Sequence, residues 1–284
     1  MAAVTIQMIK ALQDRTGAGI MDCKKALIEA EGDEEKAIDI LREKGIAKAA
    51  AKAGRTAAEG LAYIKVCEKC GRAVIVEVNC ETDFVSGSPK FAEVVDAIAS
   101  RLLEKSPASL EEAKEATQDI FTDAVVAMRE NFVLRRYEIL TLGEGEAFGT
   151  YTHMGGKISA LVQLSKDCGE VNRGLAMTVV SGKPDYLSLE DIPSAVRARE
   201  RALAEKEVAE DPKLTSKPDA VKAQIVERKV DKTLGAACLD HNVYALDPNG
   251  TLTVPEVCKQ NDVKVIRFVR YEVGDGIEKP ADAE

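Results

Sequence analysis

Two apolar segments joined by a short connection constrain the fold of this chain most strongly. Residues 61–67 and 72–80 are rich in β-branched side chains, and the four residues 68–71 between them end in a glycine. A glycine in so short a connection favours a tight turn. The two segments therefore predict an antiparallel β-hairpin.

Helices follow this hairpin before the next strand. Apolar residues have helical spacing over 90–103 and 110–128, and residues 132–142 again have the pattern of a strand. Strands and helices segregated in this way favour an α+β subdomain with an antiparallel sheet.

A similar order of elements is repeated further along the chain. Residues 147–152 and 157–166 predict a second hairpin, and helical spacing returns over 170–180. A short helix around 234–239 and a strand over 263–273 complete this part. We interpret the repetition as a duplicated architecture. The predicted fold class is α+β and multidomain, with a two-part core of antiparallel sheets and helices.

The first fifty residues predict a bundle of three short helices. Thr5 can cap the first helix, Gly17-Ala18-Gly19 ends it, and Gly32-Asp33 separates the second helix from the third. Residues 47–58 are rich in Ala and Lys, which predicts a helical tail that fades into a linker.

Two charged segments in the second half predict a further substructure. Residues 191–209 and 218–230 carry few apolar positions, and Pro212 and Pro218 separate them. This pattern favours a protruding antiparallel helical hairpin. The predicted domains are the helical bundle with its linker (residues 1–54), the first part of the core (55–142), the second part of the core (143–274) with the hairpin inserted at about 188–230, and a tail (275–284).

Charge and composition argue against several classes of function. A net charge of −9 and a pI near 5.1 disfavour a dedicated nucleic-acid binder, which needs clustered Lys and Arg side chains. No stretch approaches the length of a membrane span, and the chain does not begin like a signal peptide. Seven scattered cysteines fit a reducing compartment. We therefore expect a cytoplasmic protein that contacts neither nucleic acid nor membrane.

Motifs of catalysis and of nucleotide binding are missing from the sequence. Gly156-Lys157 and Gly182-Lys183 lack the upstream glycine and the following hydroxyl residue of a phosphate loop. The two histidines offer few candidates for acid or base catalysis. We expect no enzyme, no nucleotide site, no cofactor and no bound metal.

Cys67 and Cys70 leave three interpretations open. Two thiolates across a tight turn can bind zinc, but a structural site needs four ligands and only Cys80 lies nearby in the sequence. Reduced, unliganded thiols are the favoured interpretation. A metal site and redox chemistry are the alternatives.

The second strand candidate ends beside an acid and an aromatic ring. Asp83 and Phe84 fall at or just past its end, before the turn-forming residues 86–89. Aromatic residues make up only 4% of the chain, so each Phe stands out. A ring at this place either packs inward as a core anchor or contacts a partner.

Three segments together resemble the bacterial translation elongation factor Ts family, in the order and spacing of that family. They lie in the helical bundle, at the end of the second strand and near the end of the chain: residues 14–27, 77–85 and 266–279. The resemblance covers essentially the whole chain. It implies an N-terminal ubiquitin-associated-like bundle, a linker, a two-part α+β core, and a protruding hairpin through which two copies can dimerise.

The resemblance also implies a function. The family acts as guanine-nucleotide exchange factors that bind elongation factor Tu in its GDP-bound and nucleotide-free forms. In the family, the segment that matches Thr82, Asp83, Phe84 and Val85 presses against the nucleotide-binding domain of the partner and disturbs its magnesium site. GDP then leaves without covalent chemistry.

Four further positions match partner contacts of the family. Ile20 and Met21 resemble the apolar pair of the N-terminal domain, and Lys24 lies one turn further along the second helix. His153 falls where the family has a histidine that contacts the partner, although the following Met154-Gly155-Gly156 departs from the family pattern. For Met21 the alternative is packing inside the bundle, and for Phe84 it is packing inside the core.

Two other classes of function remain as alternatives at this point. The cysteines are compatible with a metal-dependent or redox enzyme. The basic residues Lys44, Lys48, Lys52 and Arg55 are compatible with an RNA-associated adaptor, but the acidic remainder of the chain weakens that hypothesis.

Overall fold

The structure is a computed structural model that describes residues 4–214 and 216–278, apart from the side chains of residues 48–50. Residues 279–284 of the predicted tail and the side chain of Lys48 therefore lie outside the described residues. None of the helices in the described ranges is both long enough and apolar enough to cross a bilayer.

The described part of the chain combines runs of helices with two small antiparallel sheets, which confirms the α+β fold class. The helices are α1 (Ile6–Thr16), α2 (Ile20–Glu29), α3 (Glu34–Lys52), α4 (Asp83–Ser86), α5 (Pro89–Lys105), α6 (Leu110–Met128), α7 (Glu170–Gly182), α8 (Ser194–Glu210), α9 (Asp219–Gly235) and α10 (Val254–Gln260). The strands are β1 (Glu59–Cys67), β2 (Arg72–Cys80), β3 (Val133–Thr141), β4 (Ala147–His153), β5 (Ile158–Leu164) and β6 (Val265–Glu272).

Helices α1 to α3 begin and end where the capping residues predict. The Thr5 side chain accepts a hydrogen bond from the Met8 backbone N–H at 3.2 Å, and the Asp33 carboxylate accepts one from the Lys36 N–H at 3.1 Å. Gly17 has a φ of 66°, a left-handed conformation that ends α1. Helix α3 continues to Lys52, so the first half of the region predicted as a helical tail and linker, residues 47–58, is helical.

The three helices share a buried cluster that also includes one residue of α6. Its largest members are Leu12, Leu27 and Leu41, and Val126 of α6 packs with them. The bundle is therefore fixed against α6 by apolar burial, which contributes about 25 cal/mol for each Å² of apolar surface removed from water.

The first sheet has the strand order β1-β2-β3, with both pairs antiparallel. Val74, Val76 and Val78 alternate along β2 toward the cluster that contains Phe91. Phe91 is fully buried on α5, and its ring stacks on that of Phe132 with 5.8 Å between the centroids. Helices α5 and α6 therefore cover one face of this sheet.

The opposite face of β2 carries a buried carboxylate. Glu77 has no exposed surface, and it forms ion pairs with Arg135 at 2.9 Å and Arg136 at 2.6 Å. Its Oε1 also accepts hydrogen bonds from the Asn79 side chain at 3.2 Å and from the Gly274 backbone N–H at 2.9 Å. A buried carboxylate needs such partners because desolvation without them is costly.

The second sheet repeats the plan of the first. Its strand order is β4-β5-β6, so the last strand again pairs with the second strand of the hairpin. The hairpin connections are equally long, and each contains a 3₁₀ turn, Glu68–Cys70 in the first and Met154–Gly156 in the second. These shared features support the predicted duplication.

The chain forms two compact units that are not continuous in sequence. One contains Met1–Thr141, Thr152–Ser159 and Tyr271–Glu284, and the other contains Leu142–Tyr151 and Ala160–Arg270. The predicted domain boundaries remain a prediction.

Helices α8 and α9 correspond to the two charged segments of the second half. They share a buried cluster that includes Val208 and Val230. An ion pair joins Arg197 to Asp231 at 3.1 Å, and another joins Lys229 to Glu207 at 2.7 Å.

In the second unit one expectation is wrong and one helix is additional to the prediction. The short helix predicted around 234–239 does not form, because α9 continues to Gly235 and is followed by a 3₁₀ turn at Leu239–His241. Helix α10 was not predicted.

Candidate contact surface

Residues 81–88, directly after β2, form a single helical turn between two capping residues. The Thr82 hydroxyl accepts a hydrogen bond from the Val85 N–H at 3.3 Å and so begins α4. The Ser88 hydroxyl accepts one from the Phe91 N–H at 3.2 Å and begins α5. Capping at both positions fixes the path of the chain through the turn.

Phe84 lies on the outer side of this turn and is 88% exposed, the highest value among the large apolar side chains of the described residues. Asp83 is also exposed. Val85 is half-buried and packs against the core beneath the first sheet. The core-anchor alternative for Phe84 is therefore wrong. A ring left in water forgoes about 2 to 3 kcal/mol of burial free energy, and contact with a partner would recover it.

Two carboxylates connect this turn to the end of α6. Glu130 accepts hydrogen bonds from the backbone N–H groups of Glu81 and Thr82, at 3.0 Å and 3.1 Å. The Thr82 hydroxyl donates to Glu130 at 2.6 Å. In return, Glu81 accepts from the Asn131 N–H at 2.7 Å and pairs with Arg55 at 3.2 Å.

Cys80 lies directly before the turn and has no exposed surface. Burial raises the pKa of its thiol to about 12, with a smaller contribution from the charge of Glu130. The thiol is 3.3 Å from the Thr82 carbonyl oxygen, to which it donates. A protonated, buried thiol of this kind is a poor nucleophile and a poor metal ligand.

The connection between β4 and β5 lies next to β1 in the same unit. His153 and Met154 are exposed, and Met154 is 69% exposed. Lys157 pairs with Glu59 at 2.6 Å and donates to the Ser86 hydroxyl at 3.3 Å. The structure therefore links the connection that carries His153 to the turn that carries Phe84.

The start of α2 presents two further apolar side chains. Ile20 and Met21 are 58% and 59% exposed, and Lys24 is exposed as well. Cys23, Ala26 and Leu27 are the residues of α2 that fill the bundle. The alternative that Met21 packs inside the bundle is therefore wrong.

Two adjacent residues at the end of α6 connect both exposed regions. Arg129 forms an ion pair at 3.1 Å with Asp22, the residue directly after Met21 in the sequence. Glu130 holds Glu81 and Thr82. No motif in the sequence indicates a role for Arg129, Glu130 or Met154. The sequence separation of 48 to 107 residues in these contacts leaves no local pattern from which to predict them.

Comparison with known proteins identifies the family. The model of the family Elongation factor TS matches residues 81–275, which is more than half of the chain. A protein named Elongation factor Ts from Lactiplantibacillus plantarum is 39% identical over 288 aligned residues, which cover 99% of this chain and 96% of that relative. The chain belongs to the elongation factor Ts family.

Membership of the elongation factor Ts family gives the exposed surface a context. The family is one of elongation factors in protein biosynthesis, with an exchange-factor role toward elongation factor Tu, and it is not a family of enzymes in the chemical sense. The matched region begins at Glu81, so it includes the complete turn that carries Phe84. The bundle with Ile20 and Met21 precedes this region, and the aligned relative covers it.

The state of two cysteines in this member of the elongation factor Ts family differs from the expectation. Cys67 and Cys70 form a disulfide across the connection between β1 and β2, so the expectation of reduced thiols at this pair is wrong. The bond also occupies both sulfur atoms that a zinc ion would need.

A second group of possible metal ligands lies near the end of α9. Suitable atoms of Cys238, Asp240 and His241 lie within 4.8 Å of one another. However, the buried Cys238 thiol donates to the Leu234 carbonyl oxygen, and Asp240 is paired with His241 at 2.7 Å. These contacts give all three side chains a structural role in the turn after α9.

Proposed function

We propose that this chain is a guanine-nucleotide exchange factor that binds elongation factor Tu in its GDP-bound and nucleotide-free forms. The turn Thr82, Asp83, Phe84 and Val85 is the central contact. The observation that carries the proposal is the 88% exposure of Phe84 on a turn capped at Thr82 and followed by the Ser88 cap. An aromatic side chain on a main chain held by caps has only two side-chain torsions to order on binding, which suits a hot spot of an interface.

The proposed mechanism acts on the magnesium site of the partner. The Phe84 ring enters the nucleotide-binding domain of elongation factor Tu and displaces a helix that helps to position the magnesium ligands. Without a well-held Mg²⁺, the negative charge of the bound diphosphate is poorly compensated, and GDP dissociates faster. Asp83 stands beside the ring on the same turn, where its charge faces the partner.

Exchange in both directions follows from linkage. A factor that weakens nucleotide binding must itself be weakened by bound nucleotide to the same extent. A new GTP therefore displaces the factor. The reaction needs no covalent step, no cofactor and no metal ion held by the factor.

Other parts of the molecule extend the contact in this proposal. Ile20, Met21 and Lys24 on the ubiquitin-associated-like bundle grip a second region of elongation factor Tu, and His153 contributes a third. Helices α8 and α9 form the protruding hairpin through which two copies can dimerise. The protein works in the cytoplasm, together with its partner in translation.

Release of a fluorescent GDP from elongation factor Tu tests the proposal. The chain should accelerate release in proportion to its concentration, and Phe84→Ala should lower the maximal rate at least about tenfold, as expected for a hot-spot side chain. Leu203→Ala is the matched control, because Leu203 is also an exposed apolar side chain, at 47%, but lies on α8. The absence of acceleration by the parent chain would refute the proposed function. Equal rates for the parent chain and Phe84→Ala would refute the wedge mechanism alone.

A further inference from the structure

We propose that Glu130 is a positioning residue for nucleotide exchange, which holds the turn of Phe84 in its binding-competent conformation. The inference rests on the proposed function of that turn. Glu130 itself follows α6 in the sequence and lies 46 residues after Phe84. Its role is to fix the main chain from which the ring projects.

The hydrogen bonds of Glu130 form a clamp on the residues just before Phe84. One carboxylate oxygen accepts from two successive backbone N–H groups, those of Glu81 and Thr82. The other oxygen accepts from the Thr82 hydroxyl at 2.6 Å. Hydrogen bonds to an ionised carboxylate are stronger than bonds between neutral groups, so these three contacts favour a single conformation of the main chain.

The clamp continues through Thr82 to Val85, the residue after Phe84. The Thr82 oxygen donates to Glu130 and at the same time accepts from the Val85 N–H at 3.3 Å. Both neighbours of the segment Asp83-Phe84 are thereby connected to one carboxylate. A change at Glu130 should therefore be transmitted to Phe84 although the two side chains are separate.

A reciprocal contact strengthens the same connection. Glu81 accepts from the Asn131 N–H at 2.7 Å, so residues 81–82 and 130–131 are joined in both directions. Glu130 is half-buried, which protects the carboxylate partly from competing water. This arrangement fixes the turn before a partner arrives.

Loss of the clamp should reduce the population of the competent turn. When only a fraction of the molecules has the binding conformation, the apparent dissociation constant rises by the inverse of that fraction. The rate at saturation stays the same, because the Phe84 ring is still present once the complex has formed. A positioning residue therefore has a different kinetic signature from the ring itself.

The test compares Glu130→Gln and Glu130→Ala with the parent chain in the release of fluorescent GDP from elongation factor Tu. The factor concentration for half-maximal acceleration should rise about tenfold in Glu130→Ala, with the maximal rate retained. Glu130→Gln keeps the volume of the side chain and should show a smaller rise. Asp119→Asn is the matched control, because Asp119 is a carboxylate of α6, the helix that Glu130 follows, and it pairs with Arg101 on α5 at 3.2 Å.

A double-mutant cycle with Phe84→Ala decides whether Glu130 acts through the ring. The Glu130→Ala change should have no further effect on exchange when Phe84 is already absent. Additive effects of the two changes would overturn the inference, as would an unchanged half-maximal concentration in Glu130→Ala.

Amide hydrogen exchange supplies a readout that does not depend on the partner. In Glu130→Ala, protection should fall at residues 81–85 and stay unchanged in α5. Unchanged protection at residues 81–85 would contradict the clamp. If the parent chain fails to accelerate GDP release, the proposed function fails, whereas a normal parent with an unaffected Glu130→Ala variant overturns only the role of Glu130.

Discussion

The chain continues differently after the central strands of its two sheets, although both sheets have the same strand order. After β2, residues 81–88 form a capped turn that carries the exposed Phe84. After β5, the Ser165 N–H donates to the Lys264 carbonyl oxygen at 3.0 Å, and the Ser165 hydroxyl accepts from the Lys264 N–H at 2.9 Å. Asn172 then binds the Asp167 carboxylate and the Cys168 N–H.

The second strand end satisfies its polar groups within its own unit and has no large apolar side chain in residues 165–169. The first strand end is also held by hydrogen bonds, through Glu130 and Thr82, and yet leaves a phenylalanine in water. The comparison shows that the duplicated framework does not itself define the contact surface. Of these two strand ends only the first carries an exposed large apolar side chain, on a turn that caps and hydrogen bonds hold in place.

The largest expected effect comes from comparing alanine substitutions at two phenylalanines near the end of β2. Phe91→Ala should lower the free energy of unfolding by about 3 to 5 kcal/mol, because it leaves a cavity beside Phe132. Phe84→Ala should change stability by less than about 0.5 kcal/mol, since its ring is in water. Urea unfolding monitored by circular dichroism measures both values. A large loss of stability in Phe84→Ala would remove the distinction between core and contact ring.

The buried thiol before the first turn should make stability depend on pH. The pKa of Cys80 is raised to about 12 in the folded chain, whereas an unfolded thiol has a pKa of about 8.5. The stabilisation is therefore complete below about pH 8.5 and is lost progressively as the pH rises toward 12, by up to about 1.4 kcal/mol per pH unit.

Cys80→Ala provides the comparison for this pH dependence. Its unfolding free energy should fall less steeply than that of the parent chain between about pH 8.5 and about pH 10, since the titrating thiol is gone. Urea midpoints at several pH values give the two slopes. Parallel slopes would show that the thiol does not control this pH range.

The smallest effect distinguishes two threonine caps, one in each unit. Thr82 begins α4 and Thr253 begins α10, where it also shares a capping box with Glu256. Replacing either residue by alanine should cost about 1 kcal/mol of stability. Only Thr82→Ala should also weaken the acceleration of GDP release. Thermal melting and the release assay separate the two results, and equal exchange by both variants would place Thr82 outside the contact surface.

Much of the fold follows from local sequence patterns. The β-branched segments and the glycine between them predicted β1 and β2, and helical spacing predicted α6 with its bounds, residues 110–128. The predicted end of the second charged segment, residue 230, lies five residues too early, because α9 continues to Gly235. In the structure a Cβ atom at Gly235 would lie 2.8 Å from the His241 ring, so close packing favours glycine within the helix.

The contact surface could be predicted only in part. Phe84, Ile20 and Met21 were found through short continuous segments that resemble a family. Their exposure depends on whether residues from other parts of the chain pack over them. The local hydrophobic periodicity of the sequence does not indicate this. Glu130 and Lys157 reach the turn from distant parts of the chain, through contacts that only the tertiary structure defines.

The discontinuity of the first unit has a consequence for the order in which the protein is synthesised and folds. Glu77 receives a hydrogen bond from Gly274, and Ser86 receives one from Lys157. A nascent chain that has reached only residue 141 has β1, β2 and β3 but neither of these partners. The turn that carries Phe84 and the strand before it should therefore reach their final stability only after residue 274 has left the ribosome.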